Sequence, residues 1–483
     1  MEKLKLIVPL LVYLGITLYI AYYNSPRRKK SKDFTNEYYI GNRGMGGFVL
    51  AMTVIATYTG ASSFLGGPGV AYKLGLGWVL LAAIQIPTAF LTLGILGKKL
   101  AIISRKIDGI TINDFLRARY ENKWVVIISS ISILLFFMAY MVVQVIGGAR
   151  LFEVLTGLDY SIGLLIFGFA IIFYTVFGGF KTVALTDAIQ GVIMLISSII
   201  LFFVLKNAGG GMRNIMDTIY KIDPNLLTPT SGGAISKPFI MSFWVLVGVG
   251  LLGLPQTTIR CMGFRDSKSL HSAMVIGTFV VGFLMIMMHL IGVMGIAIIP
   301  NEQLGDKVIP ILAIRNLSPV LLGVFIGGPL AAIMSTVDSL LIQTSSTIVK
   351  DIYINYIAKE VDQKKLSKIS LFTTLTMGIL VFTLAFHPPE FIVWLNLFAL
   401  GGLEAVFMWP ILLGIYWKKA NSTGALFSMI TGLLVYVIMS IYKISFFGMH
   451  QIVPTIIAGG LVFILGSYIG KPISEKKLKI FFE

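Results

Sequence analysis

The sequence predicts an all-α integral membrane protein with about thirteen transmembrane helices, on three observations. Hydrophobic residues fill 56% of its 483 positions, and a mean hydropathy of +0.88 leaves too little polar side chain to cover a water-soluble chain of this size. Apolar stretches of about twenty residues, the length a helix needs to cross a bilayer, recur from end to end. Many of the 50 glycines and 17 prolines lie inside those stretches, as in helices that kink and pack closely in lipid.

Taken in order, span one is Leu4–Tyr23. It has no small-residue cleavage site after it and runs into Pro26-Arg27-Arg28-Lys29-Lys30, so it reads as a retained helix rather than a removed signal peptide. Span two, Gly46–Tyr72, is interrupted at Ala56-Thr57-Tyr58-Thr59-Gly60-Ala61-Ser62-Ser63 and again at Gly66-Gly67-Pro68-Gly69. Spans three to six are Leu76–Gly97, Trp124–Gly148, Tyr160–Phe177 and Thr182–Leu205, the last two parted by a Gly178-Gly179 turn. Lys206–Lys237, with Gly209-Gly210-Gly211 and Asp223-Pro224, is the longest extramembrane segment, and Met212–Ile222 within it is read as a short surface helix. Span seven, Phe239–Ile259, is interrupted at Gly248-Val249-Gly250 and Gly253-Leu254-Pro255. Spans eight to thirteen are Leu270–Ile299, Pro319–Ile348, Ile369–Phe386, Phe391–Trp417, Thr423–Tyr442 and Ile452–Gly470. A broken membrane helix is costly unless it lines a cavity, and interrupted spans at matching places in two halves of a chain point to a secondary transporter's binding site.

An odd number of spans puts the termini on opposite sides. With the N-terminus outside, the cytoplasmic loops and tail hold 28 of the 39 Lys and Arg, the bias expected of cytoplasmic loops. The net charge of +17 then requires no nucleic acid, because the basic residues lie in short clusters where anionic headgroups hold them. A single cysteine, Cys261, rules out an internal disulfide. There is no nucleotide-binding glycine loop followed by Lys-Ser or Lys-Thr, and no His/Cys cluster with metal spacing. That argues against an ATP-driven pump and leaves an ion gradient or passive flow as the driving force. A sensor or an enzyme would need a soluble domain or a catalytic cluster, and the sequence shows neither.

Polar residues at membrane depth are few. In span nine, Ala332, Ser335, Thr336 and Ser339 lie three and four apart and share a helical face. Their hydroxyls and a freed carbonyl, with carbonyls exposed at the break near Ala56 and Thr59, make an oxygen shell suited to a small monovalent cation. The alternative is that these hydroxyls bond back to the previous turn or join helices. Asp187 lies near the inner end of span six, where capping a helix start is its plain reading. Asp338 lies deeper and has to be protonated, paired or bound to a cation. Glu404 is read either as a helix-interface carboxyl or as part of a gate.

The stretch Gly414-Ile415-Tyr416-Trp417-Lys418-Lys419-Ala420-Asn421-Ser422-Thr423-Gly424-Ala425, followed by Thr431-Gly432, resembles the signature of the sodium/solute symporter family. So does Tyr174-Thr175-Val176-Phe177-Gly178-Gly179-Phe180, and the likeness runs over essentially the whole chain. Within the family it is most like members that carry pantothenate, through Asn36–Arg43, Gly75–Leu81, Ile146–Leu151 and Asn396–Phe407.

The resemblance implies a LeuT-type architecture of two inverted five-helix repeats, with one helix before them and two after. The expected divisions are 1–45 (extra helix and basic loop), 46–206 (first repeat), 207–236 (extracellular loop), 237–417 (second repeat) and 418–483 (two helices and a basic tail). It implies sodium as the coupling ion, held by the carbonyls of Ala56, Thr59 and Ala332 and the hydroxyls of Ser335 and Thr336. A second cation site of some members maps onto Asp187, Ser335, Asp338 and Ser339, with Asp338 standing where those members have a hydroxyl. The implied substrate cavity is walled by spans two, three, four, seven and eleven, and its polar candidates are Ser63, Gln85, Tyr140, Gln144 and Gln256. The aromatic gate positions of span seven match Val247 and Leu251, and Arg260 is read as snorkelling from a cytoplasmic helix end, or as a partner of the substrate carboxylate if span seven is shorter than drawn. The implied function is sodium-coupled uptake of pantothenate across the cell membrane. Another small carboxylate or an amino acid is the alternative substrate, and a passive channel the alternative class.

Overall fold

The computed structural model describes residues 43–300, 305–358 and 362–483, with isolated positions before 43. Among the described residues nine helices are long and apolar enough to cross a membrane, and two further spans are bent helix pairs. Span one, Leu4–Tyr23, lies outside the described residues apart from isolated positions.

Span two is helical over Gly47–Tyr58 and stops where Thr59 turns extended (φ −86°, ψ 113°). The helix resumes in a widened turn at Ser62–Gly66 and continues over Gly67–Leu74, bent by 68° from the first half. The second interruption expected at Gly66–Gly69 is absent. Pro68 follows the widened turn at Ser62–Gly66, and the helix continues through it. Gly69 is needed for closeness instead, since a Cβ there would strike the backbone of Gly305.

Span seven breaks as expected. It widens over Trp244–Gly248, tightens over Val249–Gly253, is extended at Leu254 (φ −82°, ψ 114°) and restarts at Pro255, with a bend of 49°. Proline drives the residue before it out of the helical region and fits the first position of a helix.

Spans five and six lie in one helical run, Tyr160–Ala208, so the turn expected at Gly178-Gly179 stays helical. Its 49 residues would reach about 74 Å if straight, against about 30 Å of hydrocarbon, which is material for two crossings. The remaining spans are Leu76–Lys106, Lys123–Thr156, Ser267–Ile298, Pro319–Ile357, Lys365–Leu384, Ile392–Tyr416, Ser422–Ile441 and Ile452–Ile469. The surface helix Met212–Ile222 forms as read, with Ile215 and Ile219 buried.

The Tyr160–Ala208 helix packs along span nine, span eight packs on both halves of span two, and span eleven packs on span four and on the unwound part of span seven. The two broken spans therefore face each other inside a shell of whole ones.

Charged networks close both ends. At the expected cytoplasmic end, Asp114 completes a capping box with Thr111 on the helix Ile112–Tyr120 and pairs with Lys350 and with Arg117 (2.8 Å). Burial pushes its carboxyl up, but the Lys350 ammonium, the Ile110 N–H and the Arg117 guanidinium together outweigh that and hold it below the usual carboxylate range. At the expected outer end, Arg150 pairs with Asp306, which also accepts the Ile392 N–H at 3.1 Å. There burial wins over the guanidinium and pushes Asp306 up to about 6.

Candidate functional site

Because span two stops at Tyr58, its last carbonyls have no next turn to bond. Span nine supplies hydroxyls to that gap. Ser335 Oγ lies 2.8 Å from the Ala56 carbonyl and 3.0 Å from that of Ala332. Thr336 Oγ1 lies 3.2 Å from the Ala56 carbonyl, 3.3 Å from that of Thr59 and 3.0 Å from that of Ala332. All five residues are fully buried. Five neutral oxygens thus converge between two helices, and because hydroxyl protons rotate, the same atoms that bond one another can turn their lone pairs to a small cation. The back-bonding alternative is also partly realised, since both hydroxyls reach the Ala332 carbonyl one turn back.

One turn further along span nine, a second buried layer is organised by an arginine. Arg260, fully buried, donates through Nη2 to Ser339 Oγ (2.7 Å), through Nη1 to the Gln256 carbonyl (2.7 Å) and through Nε to Thr53 (3.2 Å). Its Nη2 stands 3.7 Å from Asp187 Oδ2, and Thr53 Oγ1 donates to the same oxygen at 2.6 Å. The charge of Asp338, also fully buried, acts on this guanidinium. The snorkelling expected of Arg260 is overturned. Beyond the bend in span seven, Arg260 lies inside the bundle and meets Thr53, Ser339 and Asp187 instead of reaching outward. The capping expected of Asp187 is overturned too, because the helix runs unbroken through it. The residues expected to form a second cation site, Asp187, Asp338 and Ser339, therefore surround a cation the chain supplies itself.

Beside the break in span two lies a cavity lined by Tyr58, Ser63, Gln85, Phe243, His289 and Asn396 among others. Of the expected substrate residues Ser63 and Gln85 line it, and Gln85 Oε1 accepts the Tyr58 hydroxyl at 2.6 Å. Tyr140, Gln144 and Gln256 do not. Gln144 is taken by the break itself, accepting the Ala61 N–H at 2.6 Å, Tyr140 donates to the Tyr58 carbonyl at 3.4 Å, and the backbone carbonyl of Gln256 accepts from Arg260. An unpaired backbone N–H in a broken helix is a stronger claim on an amide side chain than a cavity wall.

Val247 lines the cavity as expected, and the aromatic face missing from span seven comes one turn earlier. Phe243 meets Trp78 edge-on at 5.6 Å, and Trp78 meets Trp394 at 5.6 Å. Sequence reasoning missed Tyr58, Trp78, Phe243, His289 and Asn396. Trp78 and Asn396 lie in two stretches that carry the family resemblance, a signal that was available; Phe243 and His289 carry none.

Two broken helices, a buried neutral oxygen shell at one break and a cavity with polar groups in its wall beside it define an ion-coupled secondary transporter. Residues 38–432 match the model of the sodium:solute symporter family, and the chain belongs to that family; its coupling ion is sodium. The chain is 48% identical over 481 residues to a sodium/pantothenate symporter of Haemophilus influenzae, covering 99% of each. It is 47% identical over 475 residues to a sodium/pantothenate symporter of Escherichia coli, covering 98% of each. An osmoregulated proline transporter of Bacillus subtilis is 29% identical over 99% of this chain and 98% of its own length. Among solved structures, a Na+-coupled sialic acid symporter in a substrate-bound outward-open state aligns with a TM-score of 0.80 at 20% identity, covering 98% of this chain and 99% of that one. The fold is the LeuT-type arrangement the resemblance implied.

Proposed function

We propose that this chain carries pantothenate into the cell together with sodium by alternating access, in the plasma membrane, with its N-terminus outside and its C-terminus in the cytoplasm. Nearly half-identity over the full length to two pantothenate carriers is the observation that supports the substrate. The repeats are 46–206 and 237–417, so that each begins with a broken span.

Sodium is held by the carbonyls of Ala56, Thr59 and Ala332 and the hydroxyls of Ser335 and Thr336. Binding there joins span two to span nine, which steadies the wall of the cavity. Pantothenate has an amide, two hydroxyls and a carboxylate, and Gln85, Ser63, Tyr58, Asn396 and His289 offer matching donors and acceptors. Among the described residues no arginine lines the cavity. The substrate carboxylate is therefore placed at the start of the resumed half of span two, where Ser62 and Ser63 present the positive end of a helix. Because sodium and solute share that span, each raises the affinity of the other.

The deciding experiment is uptake of labelled pantothenate into proteoliposomes under an inward sodium gradient, repeated with potassium in place of sodium. Accumulation that needs sodium supports the reading. Protein that binds sodium but takes up no pantothenate removes the substrate and turns the search to other small carboxylates and to amino acids.

A further inference from the structure

Glu404 stands in the middle of span eleven (Ile392–Tyr416), fully buried, and among the described residues neither carboxyl oxygen has a hydrogen-bond partner. It belongs neither to the five-oxygen site nor to the cavity wall. It faces the least regular part of span seven. A Cβ at Gly250 would strike both Glu404 Oε2 and the Val245 carbonyl, and a Cβ at Gly253 would meet the Met408 backbone at 2.8 Å and Glu404 Cα at 3.1 Å. Two glycines thus let the unwound segment close over the carboxyl, and Oε2 and the Val245 oxygen converge on one point.

The charge around it is sparse. No Lys, Arg or His acts on Glu404 among the described residues, and the ionisable side chains that sense it are Tyr58 of span two and Tyr436 of span twelve. Arg119 and Tyr120 bond the same helix only at its far end, at the carbonyls of Gly414 and Pro410. A carboxylate at this place would be an uncompensated charge in a dry interior. Two converging oxygens are too few to replace the water shell of sodium, whereas a proton needs one acceptor. The Val245 carbonyl already accepts the Val249 N–H and has a second lone pair to offer.

We propose that Glu404 is a proton-binding site at the hinge of span seven. In this arrangement its carboxyl carries the proton and directs it toward the Val245 carbonyl. When span seven moves and water enters, the O–H bond breaks, the proton leaves to water and the carboxylate remains. Protonation then favours the packed arrangement of spans seven and eleven, so the balance between carrier states depends on pH as well as on sodium. The inference does not depend on which solute is carried.

The test is infrared spectroscopy of the purified protein in lipid at neutral pH, reading the carbonyl stretch of protonated carboxyls in the wild type and in Glu404→Gln. The expected result is a protonated-carboxyl band that is present in the wild type, persists in Asp187→Asn and in Asp338→Asn, and is lost in Glu404→Gln. A band unchanged by Glu404→Gln, or no such band in the wild type, overturns the proposal. If Glu404→Gln does not fold, Glu404→Asp is read instead: a shifted band supports the assignment, and an unshifted one assigns it to another residue and overturns it.

Discussion

Arg260 Nη2 and Asp187 Oδ2 stand 3.7 Å apart with both side chains fully buried, and through them the inner half of span seven is tied to span six. Thr53 and Ser339 complete the layer, so four spans meet at one guanidinium. Removing one partner of a buried pair typically costs about 3–5 kcal/mol, because the other charge is left uncompensated. Arg260→Met should therefore lower the melting temperature in detergent sharply, and Arg260→Met/Asp187→Asn should recover much of the loss. Equal melting of the single variant and the wild type would show that the pair carries no stability. Arg260→Lys should rescue poorly, since an ammonium cannot reproduce a fork reaching Ser339, Gln256 and Thr53.

Each hydroxyl of the proposed sodium shell should be separable from the cavity. A hydrogen-bonding group facing a charge contributes about 1.5–3 kcal/mol, roughly tenfold or more in affinity. Ser335→Ala and Thr336→Ala should each raise the sodium concentration for half-maximal binding by about that factor, and Thr336→Ser should stay near the wild type. Sodium-dependent thermal stabilisation without solute measures this directly; an unchanged midpoint in both alanine variants would remove the site.

Asp338 borders the same layer as Arg260. Asp338→Asn should alter the dependence on sodium more than the affinity for solute at saturating sodium. Sodium titrations of uptake decide it, and an unchanged Hill coefficient together with an unchanged sodium midpoint counts against a role in cation binding.

In the cavity, Gln85→Leu and Asn396→Leu should weaken solute binding about tenfold, the usual effect of leaving a polar ligand group unpaired. Sodium binding measured without solute should be intact. Solute competition against a labelled substrate gives the first quantity and thermal stabilisation by sodium the second; a parallel loss of both would mean misfolding rather than recognition.

Asp306 gives a pH dependence of definite sign. Its folded value of about 6 lies above the unfolded value of about 3.9, so the folded state binds the proton more tightly. That contribution to stability is fully present below the unfolded value and is lost as pH rises through about 6. Relative to Asp306→Asn, the wild type should gain stability as pH falls from about 6 to about 4, with no difference in slope above about 6. Melting curves of the two proteins across that range test it, and parallel curves would mean that burial does not outweigh Arg150 at this site.

Much was legible without coordinates because membrane helices must satisfy their own backbone within about twenty residues. Hydropathy therefore marked the spans, glycine and proline marked the break in span seven, and a run of small polar residues around Gly60 marked that in span two. The Ser335-Thr336 pair at a helical spacing from Ala332 was enough to name an oxygen shell, since position on a helix follows from number alone. The same reasoning failed where the answer depended on competition between partners. Gly66–Gly69 looked like a second break but serves contact with Gly305. Gln144 looked like a substrate ligand but satisfies the N–H of Ala61.

The amino-acid sequence by itself determined that this protein is helical, that it crosses the membrane many times, and that two of its helices are broken. Only the tertiary structure decided that Arg260 lies inside the bundle beside Asp187, that Phe243 and His289 wall the cavity, and that Glu404 meets the hinge of span seven. The reason is physical. Helix formation and membrane insertion are set by residues near in sequence, whereas the surroundings of a buried carboxyl are set by residues 73 to 154 positions away, as Asp187 with Arg260 and Glu404 with Gly250 both show.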